Sequence, residues 1–150
     1  MTFAPNAPGA WEGNGGLGAD RTRGLCALAA RAASSKLGHD IVVLGVEKLM
    51  GLTDAFVITA GANPRQVRTI SDEVERQLKI AGNGSPLRVE GLDDARWVLM
   101  DYGDFVVHVF MEEVRQFYDL ESLWGDAPRW DWDEHSGELV GASTGTGPGS

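Results

Sequence analysis

The chain has 150 residues and a mass of 16.1 kDa, with 43% apolar and 23% charged residues, the size and balance of one packed domain and not of a disordered or fibrous chain. No apolar run reaches the roughly 18 to 20 residues that span a bilayer, and no basic segment followed by an apolar stretch opens the chain, so membrane insertion and secretion are disfavoured and a cytoplasmic setting is expected. Thirteen basic residues against 22 acidic ones give a net charge of -9, and Cys26 is the single cysteine; this excludes an internal disulfide and a multi-cysteine zinc site, and disfavours sequence-specific nucleic-acid binding, leaving a protein partner.

Residues 1–20 hold five glycines and two prolines and read as a flexible arm. Arg21 to Leu37 is alanine- and leucine-rich, with Cys26, Ala30, Ala33 and Leu37 along one helical stripe and Gly38 as the stop. Cys26 on that stripe is a small core residue and not a nucleophile. The runs DIVVLGVEKL and AFVITA are β-branched and apolar, as in buried strands, and are expected to pair across the Gly51 to Asp54 turn.

Asn63 then caps a helix whose first position is Pro64. Val67, Ile70, Val74, Leu78 and Ala81 form its inward stripe, Asp72 with Arg76 and Glu75 with Lys79 are spaced i,i+4 outside, and Gly82 ends it. A third strand, LRVE, leads into ARWVLMDYGDFVVHVFM, the strongest β signal in the chain. It reads as a hairpin of Trp97 to Asp101 and Phe105 to Met111, turning at Tyr102-Gly103. A last helix from Glu112 to Leu123 is expected to bury Val114, Phe117, Leu120 and Trp124, ending at Gly125 before Pro128. The order αββαβββα predicts an α/β domain over residues 21–129, a five-stranded mixed sheet flanked by helices. Residues 130–150 read as an acidic tail, with Trp130 and Trp132 docked on the domain's own surface, running into a Gly/Ser/Thr-rich end expected to be disordered.

Three features carry possible chemistry. Asp101 and Asp104 flank the hairpin turn with His108 beyond, a spacing that permits a two-carboxylate metal site; Asp at a tight turn more often caps local amides. His108 alternates with Val107 and Val109 and fits either a surface contact or a satisfied histidine under a helix; with His39 and His135 in unrelated segments, no metal site is expected. Gly61-Ala62-Asn63-Pro64-Arg65 is a strand-to-helix turn, but Pro64 removes an amide donor and no Lys-Ser/Thr follows, so it reads as a capped helix start and not a phosphate cradle. The hairpin also gathers Arg96, Trp97, Met100, Tyr102, Phe105 and Phe110, types enriched where proteins meet; the same residues equally fit a filled core.

AFVITAGANPRQVRTISDEVE, EGLDDARWVLMDYGDFVVHVF and FYDLESLWGDAP, in that order, resemble the Iojap-related ribosomal silencing factors over residues 22–128, leaving both ends outside. The resemblance implies a non-enzymatic translational repressor without a cofactor, a sheet similar to a nucleotidyltransferase core, and homodimers. It further implies binding to large-subunit ribosomal protein fourteen, which blocks association of the large ribosomal subunit with the small one during starvation or stationary phase. The enzymes' Gly-Ser is replaced here by Gly61-Ala62-Asn63, with no Asp-x-Asp on the following strand. On this reading Trp97, Leu99, Met100, Asp101, Tyr102, Asp104 and His108 lie at or beside the contact, with Tyr102 an anchor at the hairpin tip; which alternating face points outward stays open. The alternative is a metal-dependent nucleotidyltransferase-like enzyme using Asp101 and Asp104.

Overall fold

A computed structural model describes residues 16–46, 53–123 and 125–141. Helix α1 (Gly16–Ser35) is followed by strands β1 (His39–Gly45) and β2 (Ala55–Gly61), helix α2 (Pro64–Ile80) and strands β3 (Arg88–Glu90), β4 (Trp97–Asp101) and β5 (Phe105–Met111). Helices α3 (Glu112–Tyr118) and α4 (Leu120–Leu123) and strands β6 (Arg129–Asp133) and β7 (Glu138–Gly141) complete the order. The strands form one seven-stranded sheet, β3-β4-β5-β2-β1-β6-β7. Only β2 and β5 run parallel; the other neighbours, including β1 with β2, are antiparallel.

Strand alternation divides the interior into two layers. Ile41, Val43, Val57, Val98, Met100, Phe105, Val107 and Val109 pack with Cys26, Ala30 and Ala33 of α1 and Val67, Ile70, Val74 and Leu78 of α2. Val42, Leu44, Phe56, Ile58 and Phe110 face the other way, toward Val114 of α3 and Leu120 of α4. Because β2 lies at the centre, all seven of its residues are buried, which is why it reads as an unbroken apolar run.

Local chemistry accounts for α2 and for the hairpin. The Asn63 side chain accepts from the Gln66 amide, and Pro64 sits at the first helical turn. At the β4–β5 turn Gly103 has φ +87°, and Asp101 Oδ1 accepts from its amide at 2.8 Å. Thr53 Oγ1 donates to Gly103 O, and the Asp54 amide donates to Asp104 O, so the segment before β2 braces the turn. Gly91, at φ +91°, tolerates no side chain: a Cβ there would lie 2.1 Å from the Trp97 carbonyl oxygen.

Several expectations are corrected. The sheet has seven strands instead of five. The extra two span residues 129–141, read from sequence as tail from residue 130 on: RWDWD is a strand whose period of two buries Trp130 while Asp131 points to the opposite side, and Gly137 at φ +69° turns the chain into β7. Residues 16–20 belong to α1 and not to a flexible arm, because extending an existing helix carries no new nucleation cost. Leu37 is left-handed (φ +67°) and 77% exposed, since the helix has already ended. Ala81 likewise caps α2 and is exposed. Arg76 pairs with Glu73 at 3.3 Å, the i,i+3 neighbour, and not with Asp72. The last helix is broken at Asp119 (φ +38°), whose carboxylate accepts from the Ser122 amide and hydroxyl to start α4. Phe117 is 79% exposed although it shares the unbroken α3 with Val114, because the buried face of that helix holds only Val114 and Arg115; Val114 and Leu120 are buried as expected. Residues 1–15, 47–52 and 142–150 and Trp124 lie outside the described residues.

Candidate protein-interaction surface

The β4–β5 register assigns each hairpin residue to a side. Trp97 lies opposite Phe110, Leu99 opposite His108 and Asp101 opposite Val106; these six share the α3 side of the sheet. Val98 and Met100 point to the α1/α2 side, where Met100 is 1% exposed.

Trp97 is the pivot of the α3 side. Its ring centroid lies 4.8 Å from that of buried Phe110 and 5.0 Å from that of Tyr118, which lies 5.0 Å from Phe117. Exposure climbs along this ladder: Phe110 is sealed, Trp97 partly buried, Tyr118 50% and Phe117 79% exposed. The spacings are those of favourable edge and offset aromatic pairs. Leu99, half-buried on the next outward position of β4, continues the apolar surface.

His108 lies beneath this face, 4% exposed. The Trp97 indole N–H donates to its Nδ1 at 3.0 Å, and Phe56 meets the ring edge-on at 4.7 Å. Burial pushes the imidazole pKa down to about 4, because a cation there would forfeit its hydration. The ring is therefore neutral at pH 7, and acceptance at Nδ1 puts its hydrogen on Nε2, a buried atom that meets no hydrogen-bond partner among the described residues.

The seven residues singled out from sequence do not form one patch. Trp97, Leu99 and Asp101 share the accessible side, and His108 supports it from below. Met100 is core. Tyr102, expected at the tip, instead packs against the α1/α2 core and stacks on Phe105 with centroids 5.0 Å apart. Burial, and secondarily the Glu75 carboxylate, raise its phenol pKa. Asp104 alone stands exposed at the tip. The Phe117-Tyr118 pair was missed; Asp119, a residue type that tolerates left-handed backbone, was the signal that the helix stops there.

Little here supports catalysis. Asp101 divides its oxygens between the Gly103 amide and Arg88 at 3.3 Å, the local role expected of a turn aspartate. Among the described residues no group of three His, Cys, Asp or Glu is placed to hold a metal. Cys26 is buried, which raises its thiol pKa and suppresses the thiolate. A cleft of about 840 Å³ lies between α3, α4 and strands β1 and β6. Its guanidiniums are engaged: Arg115 pairs with Glu121 at 2.7 Å and donates to the Asp40 carbonyl, and Arg129 pairs with Asp131 at 3.0 Å.

Residues 19–145 match the family model described as ribosomal silencing factor during starvation. The chain belongs to the ribosomal silencing factor family. The match runs beyond residues 22–128 and takes in the β6–β7 hairpin. The ribosomal silencing factor RsfS of Bacillus subtilis is 42% identical over 112 residues, covering 74% of this chain and 93% of its own. A mouse protein named mitochondrial assembly of ribosomal large subunit protein 1 is 33% identical over 88 residues, covering 57% of this chain and 39% of that one. A crystal structure from Chromobacterium violaceum superposes with a TM-score of 0.65 at 38% identity, covering 68% of this chain and 84% of that one. Ribosomal silencing factors are regulators and not enzymes.

Proposed function

We propose that this ribosomal silencing factor docks on the large ribosomal subunit through the side of the sheet bearing Trp97, Leu99, Tyr118 and Phe117, and prevents the small subunit from joining. The partner we propose is large-subunit ribosomal protein fourteen, the setting starvation or stationary phase, and the acting species a homodimer. The observation that carries the reading is the aromatic ladder, which rises from Phe110 in the core to Phe117 in solvent. Fixed aromatic groups beside a polar rim are what a steric blocker needs, since it must win surface from a competing subunit by affinity alone. Asp101 and Asp104 place carboxylates beside this face, and the net charge of -9 favours encounter with basic ribosomal proteins. The mouse relative's name, which links it to assembly of the ribosomal large subunit, supports the same target. A nucleotidyltransferase-like ancestry of the sheet belongs to this proposal at the level of fold alone; Gly61-Ala62-Asn63 begins α2 as an ordinary capped turn.

Order of addition tests the mechanism. Added to separated subunits, the protein is expected to inhibit translation strongly; added to preformed ribosomes, far less. Equal inhibition in both orders would place its action after joining and refute steric exclusion.

A further inference from the structure

On β4, Trp97 lies opposite Phe110, and His108 is the next residue of β5 on the same side, diagonal to the indole. Diagonal neighbours on a sheet are within reach of long aromatic side chains. An indole on a partly open sheet face has a broad choice of χ2, so its plane is not set by the backbone. Two contacts set it here. Phe110 packs against one part of the ring system at 4.8 Å, and His108 Nδ1 takes the indole N–H at 3.0 Å. The imidazole is itself clamped by Phe56 at 4.7 Å and Phe110 at 6.1 Å, so the acceptor does not follow the indole if it swings.

We infer that His108 is a positioning residue for the docking face: its Nδ1 locks the Trp97 indole in the orientation that continues, through Tyr118 and Phe117, the aromatic surface offered to the partner. The inference rests on the docking face proposed above. His108 makes no contact with the partner itself. Its contribution is to order the indole before binding, sparing the complex the loss of side-chain freedom, which is worth roughly three- to tenfold in affinity for one anchor. The role needs a neutral ring with its hydrogen on Nε2, because the opposite tautomer and the imidazolium both present a donor to a donor.

The first test uses the unaltered protein, labelled with nitrogen-15. Long-range proton–nitrogen correlations of His108 are expected to show a neutral ring protonated at Nε2; a hydrogen on Nδ1 would overturn the inference with no variant needed. The Trp97 indole resonance is assigned by its disappearance in Trp97→Phe. His108→Phe keeps an aromatic ring but removes the acceptor. It is expected to shift the Trp97 indole resonance, speed its exchange with water, and weaken binding of the folded protein to purified large ribosomal subunits by roughly three- to tenfold. His108→Asn, which returns an acceptor near the position of Nδ1, is expected to restore most of both. A merely structural role would lower the melting temperature of both variants without this reversal. A shifted indole resonance with unchanged affinity would overturn the positioning role. Full affinity in Trp97→Phe would overturn the docking face itself, a result distinct from the others because tautomer and resonance are read without ribosomes.

Discussion

On the α1/α2 side of the sheet, Val57, Val98, Met100, Phe105 and Val107 are sealed beneath two long helices. On the α3 side, alternate residues of the same strands meet a seven-residue helix and a single further turn, and the cover ends on Trp97, which meets Tyr118 at the end of α3 and stays partly open. Composition does not separate the two sides: each has aromatic and β-branched residues in quantity. What separates them is the length of helix laid over each, so a residue's role follows from the parity of its strand position and not from its type. The proposed docking face assigns recognition to the outer part of the α3 side, and variants that part binding from stability test that division.

The largest effect is expected at Phe105. Phe105→Ala empties a sealed site under α1 and α2 and should cost about 3 to 5 kcal/mol of unfolding free energy, read by denaturant titration, with the affinity of the remaining folded protein for large subunits unchanged. Selective loss of affinity would break the division. Acid acts next. The His108 pKa falls from an unfolded value near 6.5 to about 4 when folded, so the unfolded chain binds the extra proton between those values. The neutral ring's contribution to stability is complete above pH 6.5 and is lost as pH falls toward 4, up to roughly 3 kcal/mol. Urea unfolding at pH 7 and pH 4 should show His108→Asn losing correspondingly less than the unaltered chain; equal losses would mean that the imidazole is not held neutral.

Tyr102 sharpens the comparison, because its position at a hairpin tip makes it look like an anchor while its ring packs with the core. Tyr102→Ala should destabilise by about 2 kcal/mol through the lost stacking on Phe105, with binding reduced only as folded protein is lost. A large drop in affinity at unchanged melting temperature would return Tyr102 to the contact. The smallest stability effect is expected at Phe117. Phe117→Ser should stay within about 0.5 kcal/mol of the unaltered fold yet weaken large-subunit binding by about 1 to 2 kcal/mol, roughly five- to thirtyfold. An unchanged dissociation constant would remove the top of the ladder from the docking face.

The parts legible in the sequence are those whose cause is local. Asn63-Pro64 announces the start of α2, and Gly103 with its flanking aspartates announces the hairpin turn; both elements lie where the pattern places them. The alternation of Trp97, Leu99 and Asp101 was readable too, but not which set faces out, because that is decided by where α1 and α3 dock. Phe117 was misassigned because i,i+3 spacing places it only near the stripe of Val114, and the buried face of this short helix is narrow, holding Val114 and Arg115. The β6–β7 hairpin was hidden for a further reason: RWDWD alternates as a strand should, but its pairing partner, Val42 to Leu44, is far away in sequence, and its charges read as solvated tail. Those charges instead lie over the cleft, where Arg129 reaches Asp131 and Glu121.

That hairpin bears on how the protein behaves in a crowded solution. β6 runs along Val42, Val43 and Leu44 of β1, a buried apolar stretch of that strand. Left bare, its row of amides and carbonyls would be a template on which another chain's strand could grow. The outermost strand on this flank is instead β7, four residues long, opened by Glu138 and closed by Gly141, too short to recruit a neighbour well. The acidic, tryptophan-bearing end thus covers a sheet edge that strand-on-strand growth would otherwise use.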